Sequence, residues 1–352
     1  MWGYPHFLLK IIFLIIALKM VNAQAMKQRE FGKTGFKCSE VGFGTWAMGG
    51  YWGPRDDRAA IDALIHYLEL GGNFIDTAWV YGEGHSESLI SSALRESGHS
   101  AYIATKIPPK NWQWPGRAAS TLDQTFPAEH IEDYLHKSLT NLRADSVDLI
   151  QLHVWNDTWL GEKQEDELRQ LSDKLKSEGK IRHFGISIND HDPDSALKMV
   201  ASGLVDSVQV IHNIFDQSPE SKLFPLCQKM NVGVIARVPF DEGSLAGALS
   251  PEMVFHKKDW RRHYFTPERL IETCQRVEKL KALLGEEAAT LPQLALRYNL
   301  SHPAVSTVIP GMRRISHVDS NCAVGDGRRL SPVLLEELKK HIWLRNFYPS
   351  HG

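Results

Sequence analysis

Cysteine is scarce in this chain, and its spacing forms no metal-binding or disulfide pattern. The four cysteines among the 352 residues are far apart, at Cys38, Cys227, Cys274 and Cys322. No C-x-x-C pair occurs, which removes the usual support for a zinc or iron–sulfur site. Four cysteines in a chain of this length also do not resemble the dense disulfide framework of a small secreted domain. The sequence therefore predicts no metal site.

An excess of charge of one sign is also lacking. The chain has 40 basic and 42 acidic residues, which give a net charge of −2 at neutral pH. Nucleic-acid-binding proteins typically carry a basic patch and a high isoelectric point, so we expect no nucleic-acid partner. A G-x-G-x-x-G motif between a strand and a helix is missing as well, and a Rossmann dinucleotide-binding domain requires one.

Long apolar runs are missing except near the N-terminus. Residues 7–20 are strongly apolar, but Lys10 and Lys19 interrupt them. A transmembrane helix needs roughly 20 apolar residues, so we expect no membrane span in the mature protein.

Two interpretations of the N-terminal extension stay open. The triplet Ala23-Gln24-Ala25 fits a signal-peptide cleavage site, although no lysine or arginine precedes the apolar run. The alternative is a mis-set start codon, with Met26 as the true start. Either interpretation predicts that residues 1–25 lie outside a fold formed by residues 26–352.

The rest of the chain alternates between strand-like and helix-like segments. The predicted strands are residues 41–45, 73–76, 102–106, 147–153, 181–188, 207–211, 232–238 and 305–309. The predicted helices are residues 57–70, 86–96, 128–142, 163–178, 193–201, 219–230, 267–284, 291–300, 315–323 and 332–341. Such alternation predicts parallel strands joined by crossover helices. Eight units of this kind in about 300 residues favour an α/β fold of the closed (β/α)8 TIM-barrel type.

The chain also predicts additions at both ends of the barrel. Residues 29–41 contain two short strand patterns around Gly32-Lys33-Thr34-Gly35, which predicts an N-terminal β-hairpin. The last helical segments exceed what eight units need, so we expect extra C-terminal helices.

Three consecutive predicted strands end on reactive side chains. The second strand ends at Asp76, the third at Lys106 and the fourth at His153, and Tyr81 follows the second strand on a glycine-rich loop. Active sites of such barrels lie at the carboxyl ends of the strands. We therefore expect these four side chains to meet at one rim and to act as the catalytic group.

The chemistry of the four groups is coherent. A free tyrosine has a pKa near 10, and a nearby ammonium group should lower it. Asp76 would keep Lys106 charged and oriented, while His153 would donate a hydrogen bond to a substrate oxygen or polarise the tyrosine. Together they predict a proton donor for an oxygen that becomes negative during the reaction. A Schiff-base aldolase is the competing use of Lys106, and we rank it lower because pairing with Asp76 favours the protonated amine.

These residues lie in motifs that resemble the aldo-keto reductase family over residues 26–352. The matching motifs are Gly42-Phe43-Gly44-Thr45-Trp46, Phe74-Ile75-Asp76-Thr77-Ala78 with Tyr81-Gly82 and Ser86-Glu87, Ala104-Thr105-Lys106, Asp148-Leu149-Ile150-Gln151-Leu152-His153, Gly185-Ile186-Ser187 and Val308-Ile309-Pro310-Gly311. The resemblance implies a single barrel that binds NADPH, with NADH as the second option, and reduces aldehydes or ketones. It assigns the general acid to Tyr81, its tuning to Lys106 and Asp76, and carbonyl orientation to His153.

The resemblance also implies residues that bind the cofactor and the substrate. The implied cofactor-binding residues are Gly44, Thr45, Trp46, Asp76, Ser187, Gln209, Arg237, Pro239, Gly311, Arg313, His317 and Asn321. The implied substrate-binding residues are Trp46, Tyr81, His153 and Trp155. Arg237 stands where the family often has an aromatic residue, and Ile188 separates Ser187 from Asn189.

The leading functional hypothesis is an NADPH-dependent oxidoreductase that reduces an aldehyde or ketone or oxidises the corresponding alcohol or sugar. The alternative is a cofactor-binding, redox-sensing or regulatory subunit with little turnover. The expected partner is a small carbonyl or sugar molecule, and the use of NADPH favours a cytoplasmic location, with export as the alternative. The sequence predicts neither the natural substrate nor the oligomeric state.

Overall fold

The molecule is built around one sheet of eight parallel strands. A computed structural model describes residues 26–50 and 52–348. The barrel strands, in chain order, are β3 (Phe43–Gly44), β4 (Phe74–Asp76), β5 (Tyr102–Ile107), β6 (Val147–Leu152), β7 (Ile181–Ser187), β8 (Ser207–Ile211), β9 (Gly233–Arg237) and β10 (Val305–Val308). Each strand pairs with the next one in the chain, which is the usual arrangement of consecutive elements.

Backbone contacts between the first and last strands join the two edges of this sheet. Isolated parallel bridges connect Val41 with Val308 and Gly44 with Gly311. The Gly42 amide donates to the carbonyl of Val308 at 2.8 Å. A side chain at Gly44 would place its Cβ only 2.8 Å from the carbonyl oxygen of Ile309, so this closure requires glycine. The predicted (β/α)8 barrel is thus confirmed.

Helices cover the outside of the barrel. They are α1 (Asp57–Glu69), α2 (His85–Ser97), α3 (Leu122–Thr125), α4 (Ala128–Leu142), α5 (Glu162–Ser177), α6 (Leu197–Ala201), α7 (Leu223–Met230), α8 (Arg261–Tyr264), α9 (Pro267–Lys281), α10 (Leu291–Ser301), α11 (Ile315–Cys322) and α12 (Pro332–Lys339). On α1, for example, Ala60, Leu64 and Tyr67 are buried at three- and four-residue spacing, which is the apolar face that predicted the helix. The extra C-terminal helices are confirmed.

Two predicted helices are shorter than the sequence pattern suggested. The segment predicted as 193–201 begins as a 3-10 turn, Pro193–Ala196, and only then continues as α6. The segment predicted as 219–230 likewise begins as the 3-10 turn Ser218–Glu220 before α7. Proline near the start of each segment favours the first turn, because its fixed φ suits a helix start and its missing N–H costs nothing there.

The N-terminal hairpin closes one end of the barrel. Its strands, β1 (Gln28–Glu30) and β2 (Lys37–Ser39), pair antiparallel as predicted. Phe31 and Phe36 from the hairpin are 0% and 1% exposed. They form one apolar cluster with residues of the barrel strands, including Phe74 and Ile235. The hairpin therefore closes the amino-terminal end of the barrel, whereas Asp76 and Lys106 lie at the carboxyl ends of the strands.

Among residues 26–50 and 52–348, no helix is both long and apolar enough to cross a membrane. The apolar run of residues 7–20 and the two interpretations of residues 1–25 lie outside the described residues.

Candidate active site

A buried ion pair between Lys106 and Asp76 forms the centre of the site. Lys106 Nζ lies 2.7 Å from Asp76 Oδ2, and the two side chains are 0% and 3% exposed. The same ammonium donates to the Thr77 carbonyl at 2.8 Å. Strands β4 and β5 are neighbours with Asp76 paired to Ala104, so Lys106, two residues further along β5, projects on the same face of the sheet and reaches over the end of β4.

The second oxygen of Asp76 is held by Gln209. Gln209 Nε2 donates to Asp76 Oδ1 at 2.6 Å, and both residues are buried. Gln209 lies on β8, which is four strands away from β4 around the barrel. The hydrogen bond therefore crosses the barrel interior. Sequence reasoning missed this contact, because nothing local links a glutamine to an aspartate 133 residues earlier.

Tyr81 lies against the same ammonium group. Its Oη is 3.4 Å from Lys106 Nζ. The loop that carries Tyr81 uses left-handed conformations at Gly82 and Gly84, with φ values of 73° and 87°, which glycine adopts without steric cost. A Cβ on Gly49 would lie 2.7 Å from the Tyr81 carbonyl carbon, so a second loop also needs glycine to approach this backbone.

His153 completes the group of four. Its ring centroid lies 5.9 Å from that of Tyr81 in an edge-on arrangement. Burial, with the positive charges of Lys106 and Arg237, holds the pKa of His153 well below its ordinary value. The imidazole is therefore neutral at physiological pH. Its Nδ1 is buried and has no hydrogen-bond partner among the described residues, so the ring has a free polar position for a ligand.

The direction of the pKa shift at Tyr81 differs from the prediction. We expected the nearby ammonium to lower the phenol pKa, but burial raises the pKa of Tyr81 and the charge of Asp76 raises it further. Lys106 is 2.7 Å from Asp76 and 3.4 Å from Tyr81, so its ammonium is paired with the carboxylate, and the charge that opposes the raised pKa of Tyr81 is that of Arg237. Tyr81 thus keeps its proton, as an acid that donates to a substrate must.

Arg237 adds a positive charge beside the site. It ends strand β9, and its Nη2 donates at 2.8 Å both to the Ile188 carbonyl and to Asp190 Oδ1. Burial is the largest single effect and lowers the pKa of Arg237, but the charge of Asp190, its hydrogen bond and the tyrosines Tyr348 and Tyr81 together raise that pKa above its ordinary value. Its Nε is buried without a partner among the described residues. The Ile188 carbonyl and the Asp190 carboxylate thus fix the guanidinium beside the site.

The residues expected to hold a nicotinamide ring lie side by side. Ser187 on β7 pairs in register with Gln209 on β8. Ser187 is 2% exposed and Gln209 is 1% exposed. A serine hydroxyl beside a primary amide suits the carboxamide of a nicotinamide. Pro239, also predicted to contact the cofactor, is buried on the loop that follows β9.

The residues expected to hold the adenine end lie together at β10 and α11. Gly311 closes the sheet against Gly44, and Arg313 Nη1 donates to the Trp52 carbonyl at 2.9 Å. Burial, then the charges of Arg313 and Arg314, lower the pKa of His317. The side chains of Arg313, Arg314 and His317 therefore lie close together, an arrangement that suits the binding of a phosphate group. Asn321 is buried at the end of the same helix.

Two further predicted residues lie at the rim of the first barrel strand. Thr45 Oγ1 donates to the Asp76 carbonyl at 2.9 Å and accepts from Ser86 Oγ at 2.8 Å. These contacts make Thr45 a support for the loop that follows β4. The ring of Trp46 lies 5.7 Å from that of Trp52 and 5.3 Å from that of Trp260, so an aromatic wall borders the site.

Trp155 is the predicted site residue that the structure does not bring to the group. It is 0% exposed, its indole donates to Asp157 Oδ1 at 2.9 Å, and its ring packs on Trp159. Its side chain belongs to the main apolar core of the molecule. Trp114 occupies the rim instead, with its ring centroid 4.7 Å from that of His153.

The fold and these side chains define a barrel oxidoreductase site with a tyrosine, a lysine, an aspartate and a histidine. The sequence profile of the Aldo/keto reductase family matches residues 40–342. The chain belongs to this family, whose members are NAD(P)H-dependent oxidoreductases.

Curated relatives cover nearly all of the chain. L-galactose dehydrogenase of Arabidopsis thaliana is 31% identical over 330 residues, which are 90% of this chain and 96% of the relative. NADH-specific methylglyoxal reductase of Escherichia coli (strain K12) is 27% identical over 306 residues, which are 85% of this chain and 93% of the relative.

Solved structures agree with the fold. The holo form of aldo-keto reductase AKR11C1 from Bacillus halodurans superposes with a TM-score of 0.69 at 26% identity, covering 90% of this chain and 96% of that one. Glycerol dehydrogenase AKR11B4 from Gluconobacter oxydans gives a TM-score of 0.71 at 25% identity, covering 90% and 95% of the two chains.

Proposed function

We propose that this protein is an NADPH-dependent oxidoreductase that reduces a small aldehyde or ketone, with Tyr81 as the general acid. The observation that carries the proposal is the position of Lys106 Nζ, 2.7 Å from Asp76 and 3.4 Å from Tyr81. The neutral His153 ring lies beside the same phenol. Two uncharged hydrogen-bond donors thus converge where a carbonyl oxygen would become negative.

The cofactor would supply the hydride to the carbonyl carbon. The chain's own residues do the rest: His153 donates a hydrogen bond that orients the carbonyl oxygen, and Tyr81 Oη gives that oxygen its proton. Lys106 then faces the resulting phenolate at hydrogen-bond distance and stabilises it. Because these steps are reversible, oxidation of the corresponding alcohol or sugar uses the same residues.

NADPH is favoured over NADH by the basic group at the start of α11. Burial and the charge of Arg314 lower the pKa of Arg313, and burial with the charges of both arginines lowers the pKa of His317, so positive charge is concentrated at this place. A 2′-phosphate on the ribose would relieve that repulsion. The Escherichia coli relative is named as NADH-specific, so both cofactors belong in the assay.

The names of the relatives indicate substrates to test. They include methylglyoxal, L-galactose and glycerol, all of which are small molecules with a carbonyl group or a hydroxyl group. We therefore propose a small carbonyl compound, or a sugar or polyol in the reverse direction. The use of NADPH also favours a location in the cytoplasm, with export directed by residues 1–25 as the alternative.

Geometry argues against Schiff-base chemistry at Lys106. Burial lowers the pKa of this amine and Asp76 opposes the shift. Protonation of Lys106 is therefore a weaker argument against a Schiff base than the sequence indicated. However, Nζ faces Asp76, the Thr77 carbonyl and Tyr81, and the side chain is 0% exposed. Among the described residues, these contacts occupy the ammonium, so a carbonyl carbon would have to displace them to reach the nitrogen.

The test uses purified protein that begins at Met26, NADPH or NADH, and a panel of aldehydes, ketones and sugars. Turnover is followed by the change in cofactor absorbance. Tyr81→Phe should lower kcat by roughly 10²–10⁴-fold, because it removes the general acid. The Kd for NADPH, measured by fluorescence titration, should stay within about twofold, since the phenol hydroxyl is aimed at the substrate.

The matched control is Tyr102→Phe. Tyr102 stacks on Phe36 at the hairpin end of the barrel, with 4.2 Å between ring centroids, so its loss should leave kcat unchanged. Full activity of Tyr81→Phe would refute the assignment of the acid. Tight NADPH binding without turnover of any compound would instead support the redox-sensing alternative, and absence of cofactor binding would exclude both.

A further inference from the structure

We propose that Asn189 fixes the loop of residues 108–120, and that Trp114 on this loop is the residue that limits the size of the substrate beside His153. We call residues 108–120 the Trp114 loop. The proposal rests on the proposed function and names its substrate class: compact carbonyl compounds, with bulky ketones excluded by the indole ring.

Asn189 holds the Trp114 loop through both halves of its amide. The Gly116 backbone amide donates to Asn189 Oδ1 at 2.8 Å, and Asn189 Nδ2 donates to the Gly116 carbonyl at 2.9 Å. Asn189 is 6% exposed. This reciprocal pair links the end of β7 to a loop 73 residues earlier in the chain. Two hydrogen bonds to the backbone of Gly116 fix both the position and the orientation of the loop at this residue.

A tryptophan also contacts the same glycine. A Cβ on Gly116 would lie 2.6 Å from the ring of Trp159, so the loop backbone lies directly on that indole. Trp159 Nε1 also donates to the Arg117 carbonyl at 2.9 Å, and Trp159 is 3% exposed. The side-chain amide of Asn189 and the buried ring of Trp159 therefore both hold the loop at a point two residues beyond Trp114.

The clamp sets the position of Trp114 at the site. Its ring centroid lies 4.7 Å from that of His153 at an interplanar angle of 89°. The same imidazole lies 5.9 Å from Tyr81. A carbonyl oxygen that reaches both Tyr81 and His153 therefore carries its substituents past the indole of Trp114. A large, rigid side chain at that place accepts small substituents and rejects large ones.

The competing role for Asn189 is binding of the nicotinamide carboxamide, because Asn189 lies only two residues after Ser187. In the structure, Gly116 already uses the carbonyl and one N–H of the Asn189 amide. Only one N–H and one lone pair stay available. The two roles predict different results, since one acts on the substrate and the other on the cofactor.

The experiment compares Trp114→Ala, Asn189→Ala, the double variant and Trp112→Ala. Trp112 is the matched control, because it is on the same loop but 53% exposed. For each protein, kcat/KM is measured with methylglyoxal and with a diaryl ketone, and the Kd for NADPH is measured by fluorescence. Thermal melting establishes that each variant is folded, and Asn189→Asp is the milder substitute if Asn189→Ala does not fold.

Trp114→Ala should raise the kcat/KM ratio of the diaryl ketone to methylglyoxal by about 10–200-fold. Asn189→Ala should shift the same ratio in the same direction, and the double variant should shift it no further than Trp114→Ala, since both act through one ring. Trp112→Ala should leave the ratio unchanged. The Kd for NADPH should be the same in all of them.

A weaker Kd for NADPH in Asn189→Ala, with an unchanged substrate ratio, would overturn the proposal and assign Asn189 to the cofactor. An unchanged ratio in Trp114→Ala would overturn it as well. Failure of the proposed function is a separate result, because the wild-type protein would then turn over neither compound. In that case, hydrogen exchange decides: Asn189→Ala should speed the exchange of amides in the Trp114 loop, whereas equal rates would refute the clamp.

Discussion

Asp76 shows how one residue serves several others at the site. Its two oxygens accept from Lys106 and Gln209, so the carboxylate holds side chains from strands on opposite sides of the barrel. Burial is the largest cause of the raised pKa of Tyr81, and the charge of Asp76 adds to it. A tyrosine that stays protonated is suited to donate a proton during carbonyl reduction.

Glu242 is a second titratable residue near the site, on the loop after β9. It is 4% exposed, has a left-handed φ of 54° and accepts a hydrogen bond from the Tyr348 hydroxyl. Burial raises the pKa of Glu242 to about 8. The hydrogen bond from Tyr348 and the charge of Arg237 oppose that shift, and the charges of Asp241 and Asp190 add to it.

This shift predicts a pH dependence of stability. The unfolded chain releases the Glu242 proton above its ordinary pKa of 4.5, whereas the folded protein keeps it up to about 8. The contribution to the free energy of unfolding is therefore complete below pH 4.5, falls as the pH rises, and is lost above about 8. We expect urea unfolding midpoints to decline over this range.

Glu242→Gln is the matched control for that measurement. Glutamine has the same shape, still accepts the Tyr348 hydrogen bond and does not titrate, so the decline should become shallower. Identical pH profiles of the two proteins would contradict a raised pKa at Glu242.

At the scale of elements, the C-terminal segment of residues 343–348 packs against the loop after β9. Arg345 forms an ion pair with Asp241, and their side chains are 8% and 1% exposed. Tyr348 stacks on Trp260 with 5.7 Å between ring centroids and 1° between planes. The segment thus connects the end of the chain with the aromatic wall near Trp46.

Loss of the buried ion pair should weaken this element. Arg345→Leu leaves the Asp241 carboxylate buried without its partner, so the free energy of unfolding should fall by about 3–5 kcal/mol. Arg328→Leu is the control, since its pair with Asp326 has an arginine side chain that is 69% exposed. The control should change the free energy of unfolding by about 1 kcal/mol or less. Similar losses in both variants would argue against a special role for Arg345.

At the scale of the whole molecule, the barrel has separate ends for stability and for chemistry. The hairpin residues Phe31 and Phe36 fill one end together with Phe74. The ion pair of Lys106 and Asp76 lies at the other end, where the strands finish. In a barrel organised in this way, substitutions in the hairpin plug should alter stability without altering the geometry of the active site.

Phe31→Ala tests that separation. Phe31 is 0% exposed and its ring centroid lies 5.5 Å from that of Phe74, so truncation creates a cavity and should cost about 3–5 kcal/mol of unfolding free energy. At a temperature where the variant is fully folded, kcat and KM should match the wild-type values. Phe31→Leu, which leaves a smaller cavity, should cost less. A changed KM would show that the two ends are coupled.

Much of the fold and of the catalytic group could be predicted because both depend on local patterns. Alternating apolar segments and helical periodicity predicted the eight strands, and the positions of Asp76, Lys106 and His153 at strand ends predicted the shared rim. Short segments such as 193–201 were harder, since proline at their start favours a 3-10 turn over a helix.

The sequence by itself determined the barrel, the hairpin and the four reactive side chains, because strand order in a parallel barrel follows chain order. Tertiary structure alone decided three other features: Gln209 holds Asp76 across the barrel, Trp114 rather than Trp155 borders His153, and Asn189 clamps Gly116. Each of these contacts joins residues far apart in the chain. Tertiary structure also reversed the expected pKa shift of Tyr81, since the effect of a charge depends on burial and on distances that no local pattern encodes.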